Sequence, residues 1–324
     1  MFGIKEYQPG VGTMIKGWDI SEEHFRDPQK FPIVDLAVMT NACPRDCGFC
    51  FTDKNEKTLT LGQIKNLLDQ LAEKNTYAVQ YVGEGEPTLD KDFFEIIEYT
   101  TKKGIIPLVY TKAALKLTRL DFVKRLFDSG TSVLPKCDSL FNAEYQNRIV
   151  ESKIKKSTYF DDRNKAIENL IQLGFNKINP DGTTRMGFDM ILSEENYNEV
   201  EQMLHYCRRN NLYVMFAFHL TAGRTIKTAN HEVKKRKELL DLVEKIDLSY
   251  GIKRGRFNNF LTGPCKEYLM VRGDGRVQPC PGNEHVLGYI QKKSISEIEQ
   301  ILLEKYPCHD RATYLGNCPY RPSF

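Results

Sequence analysis

Ile33-Val34-Asp35-Leu36-Ala37-Val38-Met39-Thr40 runs through Asn41-Ala42 into Cys43-Pro44-Arg45-Asp46-Cys47-Gly48-Phe49-Cys50, and this stretch decides how the chain is read. Its first part is apolar enough for a buried strand. Its second part delivers Cys43, Cys47 and Cys50 together at the C-terminal end of that strand. Three converging thiolates suit a metal site with one coordination position left for another ligand, and soft thiolates favour iron–sulfur clusters or zinc. The competing readings are unconnected buried thiols and a structural zinc. Zinc ribbons more often pair two Cys-x2-Cys knuckles, and no second knuckle is found here.

Working outward, strands and helices alternate from residue 33. Strands are expected at 33–40, 77–82, 105–110, 131–134, 186–192 and 212–219. Helices are expected at 61–73, 91–103, 120–127, 162–173, 196–211 and 231–248, with Gly104 and Gly174 as C-terminal stops. Such alternation calls for a parallel sheet, and six units fit an open partial (β/α)6 barrel better than a closed eight-fold one. Ligands of either architecture bind at the C-terminal ends of the strands, where the cysteine loop sits. Beyond residue 249 the pattern changes to a hairpin about Arg272-Gly273-Asp274-Gly275 and a short helix at 294–303 with the capping pair Ser294 and Glu297. The boundaries expected are an N-terminal extension at 1–32, the barrel at 33–250 and a small C-terminal domain at 251–324. That last piece is poor in core residues and would need a staple such as a metal.

Composition narrows the class. The chain has 324 residues, 27% of them charged, with a formal net charge of +3, too small to argue for nucleic acid. Lys153 to Lys156 and Lys234 to Lys237 are local basic clusters that read first as solvated faces. No stretch approaches the roughly 20 apolar residues of a membrane span, and Met1 to Glu6 lacks a secretory pattern. A cytoplasmic protein is expected, whose cysteines bind metal rather than form disulfides. Nine cysteines, an odd number, agree.

The spacing Cys43-x3-Cys47-x2-Cys50, with Phe49 before the last cysteine, resembles the signature of the radical S-adenosylmethionine (SAM) enzymes. The resemblance implies a [4Fe–4S] cluster held through three irons by those thiolates, its fourth iron chelated by SAM. It implies an electron donor such as flavodoxin or ferredoxin, and oxygen sensitivity. In that family the cofactor carries the chemistry and the protein positions it. Val82-Gly83-Glu84-Gly85-Glu86-Pro87, after the second strand, resembles the family's Gly-Gly-Glu-Pro motif, with Glu84 where glycine is commoner. By the same resemblance Glu84, Gly85, Glu86 and Pro87 would contact SAM, Asp138 and Ser139 its ribose, and Lys136, or more weakly Arg185, its carboxylate. Asp138 or Ser139 serves equally well as a helix N-cap. The strand at 186–192 would back the adenine with apolar side chains. His219 and Arg224 are candidate catalytic residues at the pocket mouth, although a lone histidine is more often a rim residue.

Cys265 and Cys280 frame a segment that looks like the opening of the SPASM/twitch extension of many radical SAM enzymes. A full SPASM carries seven cysteines, and here only Cys265, Cys280, Cys308 and Cys318 remain, so the resemblance implies a twitch with one auxiliary [4Fe–4S] cluster. The expected function is hydrogen abstraction from a small or nucleotide-linked metabolite, since residues 1–32 are too few for a winged peptide-recognition domain. The pterin-forming branch is disfavoured by the ending Tyr320-Arg321-Pro322-Ser323-Phe324. The alternatives are a radical SAM enzyme modifying a ribosomal peptide or tRNA, and a non-catalytic iron–sulfur or zinc protein.

Overall fold

The structure, a computed structural model, describes residues 14–45, 47, 50, 59–150, 159–217, 233–252, 265–306 and 309. Short β1 (Met14–Ile15) and α1 (Glu22–Arg26) lead into β2 (Ile33–Ala37). Then follow α2 (Leu61–Glu73), β3 (Ala78–Tyr81), α3 (Phe93–Lys102), β4 (Ile106–Thr111), α4 (Leu120–Asp128) and β5 (Ser132–Pro135). After α5 (Ala143–Ile149) and α6 (Tyr159–Leu173) come β6 (Thr183–Thr184), β7 (Gly187–Ile191), α7 (Val200–Arg209), β8 (Tyr213–Ala217) and α8 (Val233–Ser249). The chain goes on through β9 (Glu267–Arg272), β10 (Arg276–Gln278), β11 (Gly288–Tyr289) and α9 (Ile295–Lys305).

β2, β3, β4 and β5 pair in parallel and in sequence order. Bridges Val133 to Met186 and Lys136 to Asp189 carry the sheet on to the parallel pair β7–β8. The six strands therefore form the expected partial barrel with helices outside. Alternation sorts the side chains. Ile33, Ala78, Leu108, Leu134 and Tyr213 pack inside the barrel with Ile15 and Trp18 of the N-terminal segment. Val34, Leu36, Val79, Val109 and Val133 point outward into the larger core beneath the helices. Much of that inner group lies towards the strands' N-terminal ends, and the cavity lined by Cys43, Cys47 and Cys50 opens at their C-terminal ends. β1 closes this floor by pairing in parallel with β6. Both strands are only two residues long and were invisible to periodicity.

Local chemistry sets the helix ends. Thr60 and Gln63 form a reciprocal capping box on α2, as Ser294 and Glu297 do on α9, each worth roughly 1 kcal/mol. Gly174 takes φ 88° directly after α6, a conformation that strains other residues. One helix, α5, was not foreseen. Its N-cap is Asn142, whose side chain accepts from the Tyr145 amide, so neither Asp138 nor Ser139 is the cap.

The C-terminal hairpin extends the barrel's own sheet. β9 pairs in parallel with β2 along the whole of that strand, and β10 and β11 continue outward antiparallel. α9 packs on α2: Lys74 meets Glu299 at 2.7 Å and the Ile295 amide donates to Gln70. Among the described residues no helix is long and apolar enough to cross a membrane.

Candidate cofactor site

Cys43, Cys47 and Cys50 line one cavity at the C-terminal ends of the strands, facing the turn Gly83 to Pro87. The backbone brings the two segments together. The Glu86 amide donates to the Ala42 carbonyl at 2.9 Å. A Cβ on Gly85 would stand 2.4 Å from the Asn41 carbonyl carbon and 2.5 Å from the oxygens of Thr40 and Ala42. Only glycine allows so close an approach.

Glu86 is buried and its carboxylate is engaged inside the protein. Oε1 accepts from Thr88 and from Thr111 Oγ1, while Oε2 accepts from the Lys112 amide at 2.8 Å. It locks the turn to the end of β4, while Glu86 still lines the cavity. Glu84 is also buried, at 3% exposure. Burial raises its pKa above the usual carboxylate range, against the pull of Arg272 and Arg276.

The opposite wall comes from β4, β5 and β7. Lys136 lines it, its ammonium 2.8 Å from Asp138 and 3.3 Å from Asp189. Asp138 is turned into the protein, where Oδ1 also accepts from the Ile191 amide. Ser139 donates to Glu199, and Arg163 grips its carbonyl. Lys136 is thus the member of the predicted Lys136–Ser139 group that reaches the cavity. Asp189 and Ile191 face inward beside it, whereas Phe188 and Met190 join the outer core. The apolar backing expected from this strand is therefore half carboxylate. Burial raises the Asp189 pKa, countered by Lys136.

Arg185 is not brought to the site. It precedes β7, at the strand's N-terminal end, and donates to the Thr131 and Phe127 carbonyls between the rings of Phe127 and Phe175. Phe49, His219, Arg224, Cys308 and Cys318 lie outside the described residues. Cys265 precedes β9 and Cys280 follows β10, so both stand at the open end of the hairpin, half-buried.

Three charged cavity residues escaped the sequence reading: Arg45, Lys112 and Asp189. Arg45 stacks on the Tyr159 ring at 4.9 Å and braces the cysteine loop. Lys112 immediately follows β4, and its position at a strand's C-terminal end was the available signal. Burial opposes its charge, but Cys47, Tyr159, Asp138 and Cys43 outweigh burial and hold its ammonium firmly protonated. Burial pushes the Cys43 thiol up, while Lys112 pulls it down.

These residues fit a cluster with an open coordination position. They offer three soft donors on one cavity, a cation to offset thiolate charge, and a glycine cradle pressed against the loop that carries them. Among the described residues no three His, Cys, Asp or Glu side chains are already drawn to metal-binding geometry.

Comparison with known proteins agrees. The family model described as the radical SAM superfamily matches residues 37–207. PqqA peptide cyclase of Bradyrhizobium diazoefficiens is 34% identical over 103 residues, covering 31% of this chain and 26% of that protein. GTP 3',8-cyclase of Haemophilus influenzae is 26% identical over 207 residues, covering 61% and 57%. The alignments thus span less than two thirds of these curated relatives. The Streptococcus suis SuiB structure bound to its precursor peptide SuiA superposes with TM-score 0.65 at 15% identity, covering 88% of this chain and 67% of that one. At that identity the likeness speaks for the fold.

Proposed function

From the premise that this chain belongs to the radical SAM superfamily, we propose that it is a radical SAM enzyme whose substrate is a peptide. The observation that carries the reading is the single cavity shared by Cys43, Cys47, Cys50 and the Gly83 to Pro87 turn. The 34% identity to a peptide cyclase supports this substrate class, the alternative to the metabolite that the sequence alone favours.

When bound, a [4Fe–4S] cluster with SAM supplies a hydrogen-abstracting radical. The protein's own residues do the rest. Cys43, Cys47 and Cys50 would hold three irons, and Lys112 offsets their charge. Glu86 keeps the glycine turn at a fixed height above the cysteine loop. Lys136 and Asp189 form the polar part of the far wall, while Leu134 and Ile191 supply an apolar part that excludes water. Cys265, Cys280, Cys308 and Cys318 would hold the auxiliary cluster, as part of a C-terminal unit over 251–324.

The test is anaerobic reconstitution with iron and sulfide, followed by incubation with SAM, dithionite and synthetic copies of short peptides encoded beside this gene. A peptide mass lowered by two hydrogens, with 5'-deoxyadenosine formed, supports the reading. 5'-Deoxyadenosine without any peptide change is uncoupled cleavage, which counts against those peptides and leaves the field to the second reading, a nucleotide substrate. That reading draws on the longer match to the GTP cyclase and is tested by adding GTP. Absence of SAM cleavage altogether would leave a non-catalytic protein.

A further inference from the structure

The glycine turn carries a buried acid where the motif usually has a second glycine, and its surroundings show what that acid touches. Glu84 lines the cofactor cavity, yet its partners belong to the C-terminal hairpin. Oε1 stands 3.9 Å from Arg272 Nη1, with both side chains buried. Among the described residues Oε1 has no hydrogen-bond partner of its own, so this ion-pair contact is its specific link, and Gly273, Arg276 and Asp274 complete its electrostatic surroundings. Arg272 is itself held by Gln278 across the hairpin at 2.7 Å. The Gly273 carbonyl accepts from the Leu59 amide, just ahead of α2. The hairpin turn therefore touches the chain on both sides of the cavity, while Cys265 and Cys280 sit at its other end.

We propose that Glu84 is a positioning residue that pins the hairpin turn to the cofactor-binding turn, so that the hairpin and the cavity wall move as one body. The inference rests on the reading of the cavity as a SAM site only in what it says about affinity. The mechanical link stands on the contacts alone. Two charges this deeply buried are expensive unless they meet each other, so the carboxylate and Arg272 hold their elements in register. Residue 84 cannot shift without moving Gly85, whose Cα is already pressed against the cysteine loop. The β9–β2 ladder ties the hairpin to the sheet, and Glu84 adds a direct link from the hairpin turn to the glycine turn.

Glu84→Gln keeps the shape and removes the charge; Arg272→Gln removes the partner; Arg272→Lys keeps the charge should Arg272→Gln fail to fold. Two measurements decide. In hydrogen exchange of the apo protein, Glu84→Gln should speed exchange of the Gly275 and Leu59 amides, which donate to the Arg272 and Gly273 carbonyls, together with the Glu86 amide of the glycine turn, which donates to the Ala42 carbonyl, by about tenfold. In the reconstituted protein, SAM affinity should fall about five- to tenfold in each single Gln variant, with no further loss in the double variant, as coupled residues require. The SAM-induced change in the electron paramagnetic resonance spectrum of the reduced cluster should weaken in parallel. Arg272→Lys should restore part of both effects. Faster exchange confined to one of the two turns, or losses that add in the double variant, would overturn the link. A wild-type protein that binds no SAM would sink the functional reading instead, while the exchange experiment still decides this one.

Discussion

Glu86 and Lys112 are joined across two neighbouring strands: the Lys112 backbone amide donates to Glu86 Oε2 at 2.8 Å. The other carboxylate oxygen accepts from Thr111 Oγ1 at 2.6 Å and Thr88 Oγ1 at 2.7 Å. An acid on the cavity wall also serves as the rivet between the glycine turn and the end of β4.

Replacing Glu86 by Gln should therefore act on stability first. An amide nitrogen cannot accept, so at least one buried donor loses its partner, at about 1–3 kcal/mol. Urea denaturation should show a lower midpoint with an unchanged slope. An unaltered midpoint would show that the rivet is dispensable.

Gly85→Ala should be far more damaging than Gly62→Ala. A methyl at residue 85 meets backbone at 2.4–2.5 Å, whereas at residue 62 the nearest atom is 3.9 Å away. The expected result is a thermal midpoint several degrees lower and poor iron incorporation for Gly85→Ala, with near-wild-type behaviour for Gly62→Ala. Equal behaviour of the two would contradict the close approach of the two loops.

Cys47→Ala should abolish SAM cleavage and lower the iron count of the reconstituted protein. Cys207→Ala removes an equally buried thiol from the outer core and should cost only stability, about 1 kcal/mol. Iron content and 5'-deoxyadenosine formation separate the two. Retained cleavage in Cys47→Ala would exclude the thiol from the cofactor site.

The floor of the barrel has a pH signature. Burial raises the Asp181 pKa, but hydrogen bonds from Thr183 and Lys16 outweigh it and depress the value to about 2. A carboxyl whose folded pKa is lowered stabilises the fold above its unfolded pKa and loses that contribution as pH falls towards about 2. Asp181 is half exposed, so solvent screening limits the effect to under about 1 kcal/mol. Asp181→Asn should be slightly less stable than wild type at neutral pH, with the difference vanishing in strong acid. A constant difference at all pH values would point to packing instead.

Much of this protein was written in local sequence. The apolar run from Ile33, the cysteine spacing and the helical period of Leu61 to Glu73 each satisfy one element's geometry with its own residues, so the barrel and the Ser294–Glu297 capping box were legible there. The two-residue strands β1 and β6 carry no period, and the short helix α5 carries too little of one. Arg185 looked like a ligand contact because its type was right, but it lies ahead of its strand rather than after it. Tertiary structure alone decided that Glu86 is tied to β4, that Asp189 faces the cavity, that β9 pairs with β2, and that Glu84 meets Arg272. The physical reason is range. Periodicity and caps act over a few residues, whereas a buried carboxylate takes whichever donor the fold brings within about 3 Å, however far apart the two stand in the chain.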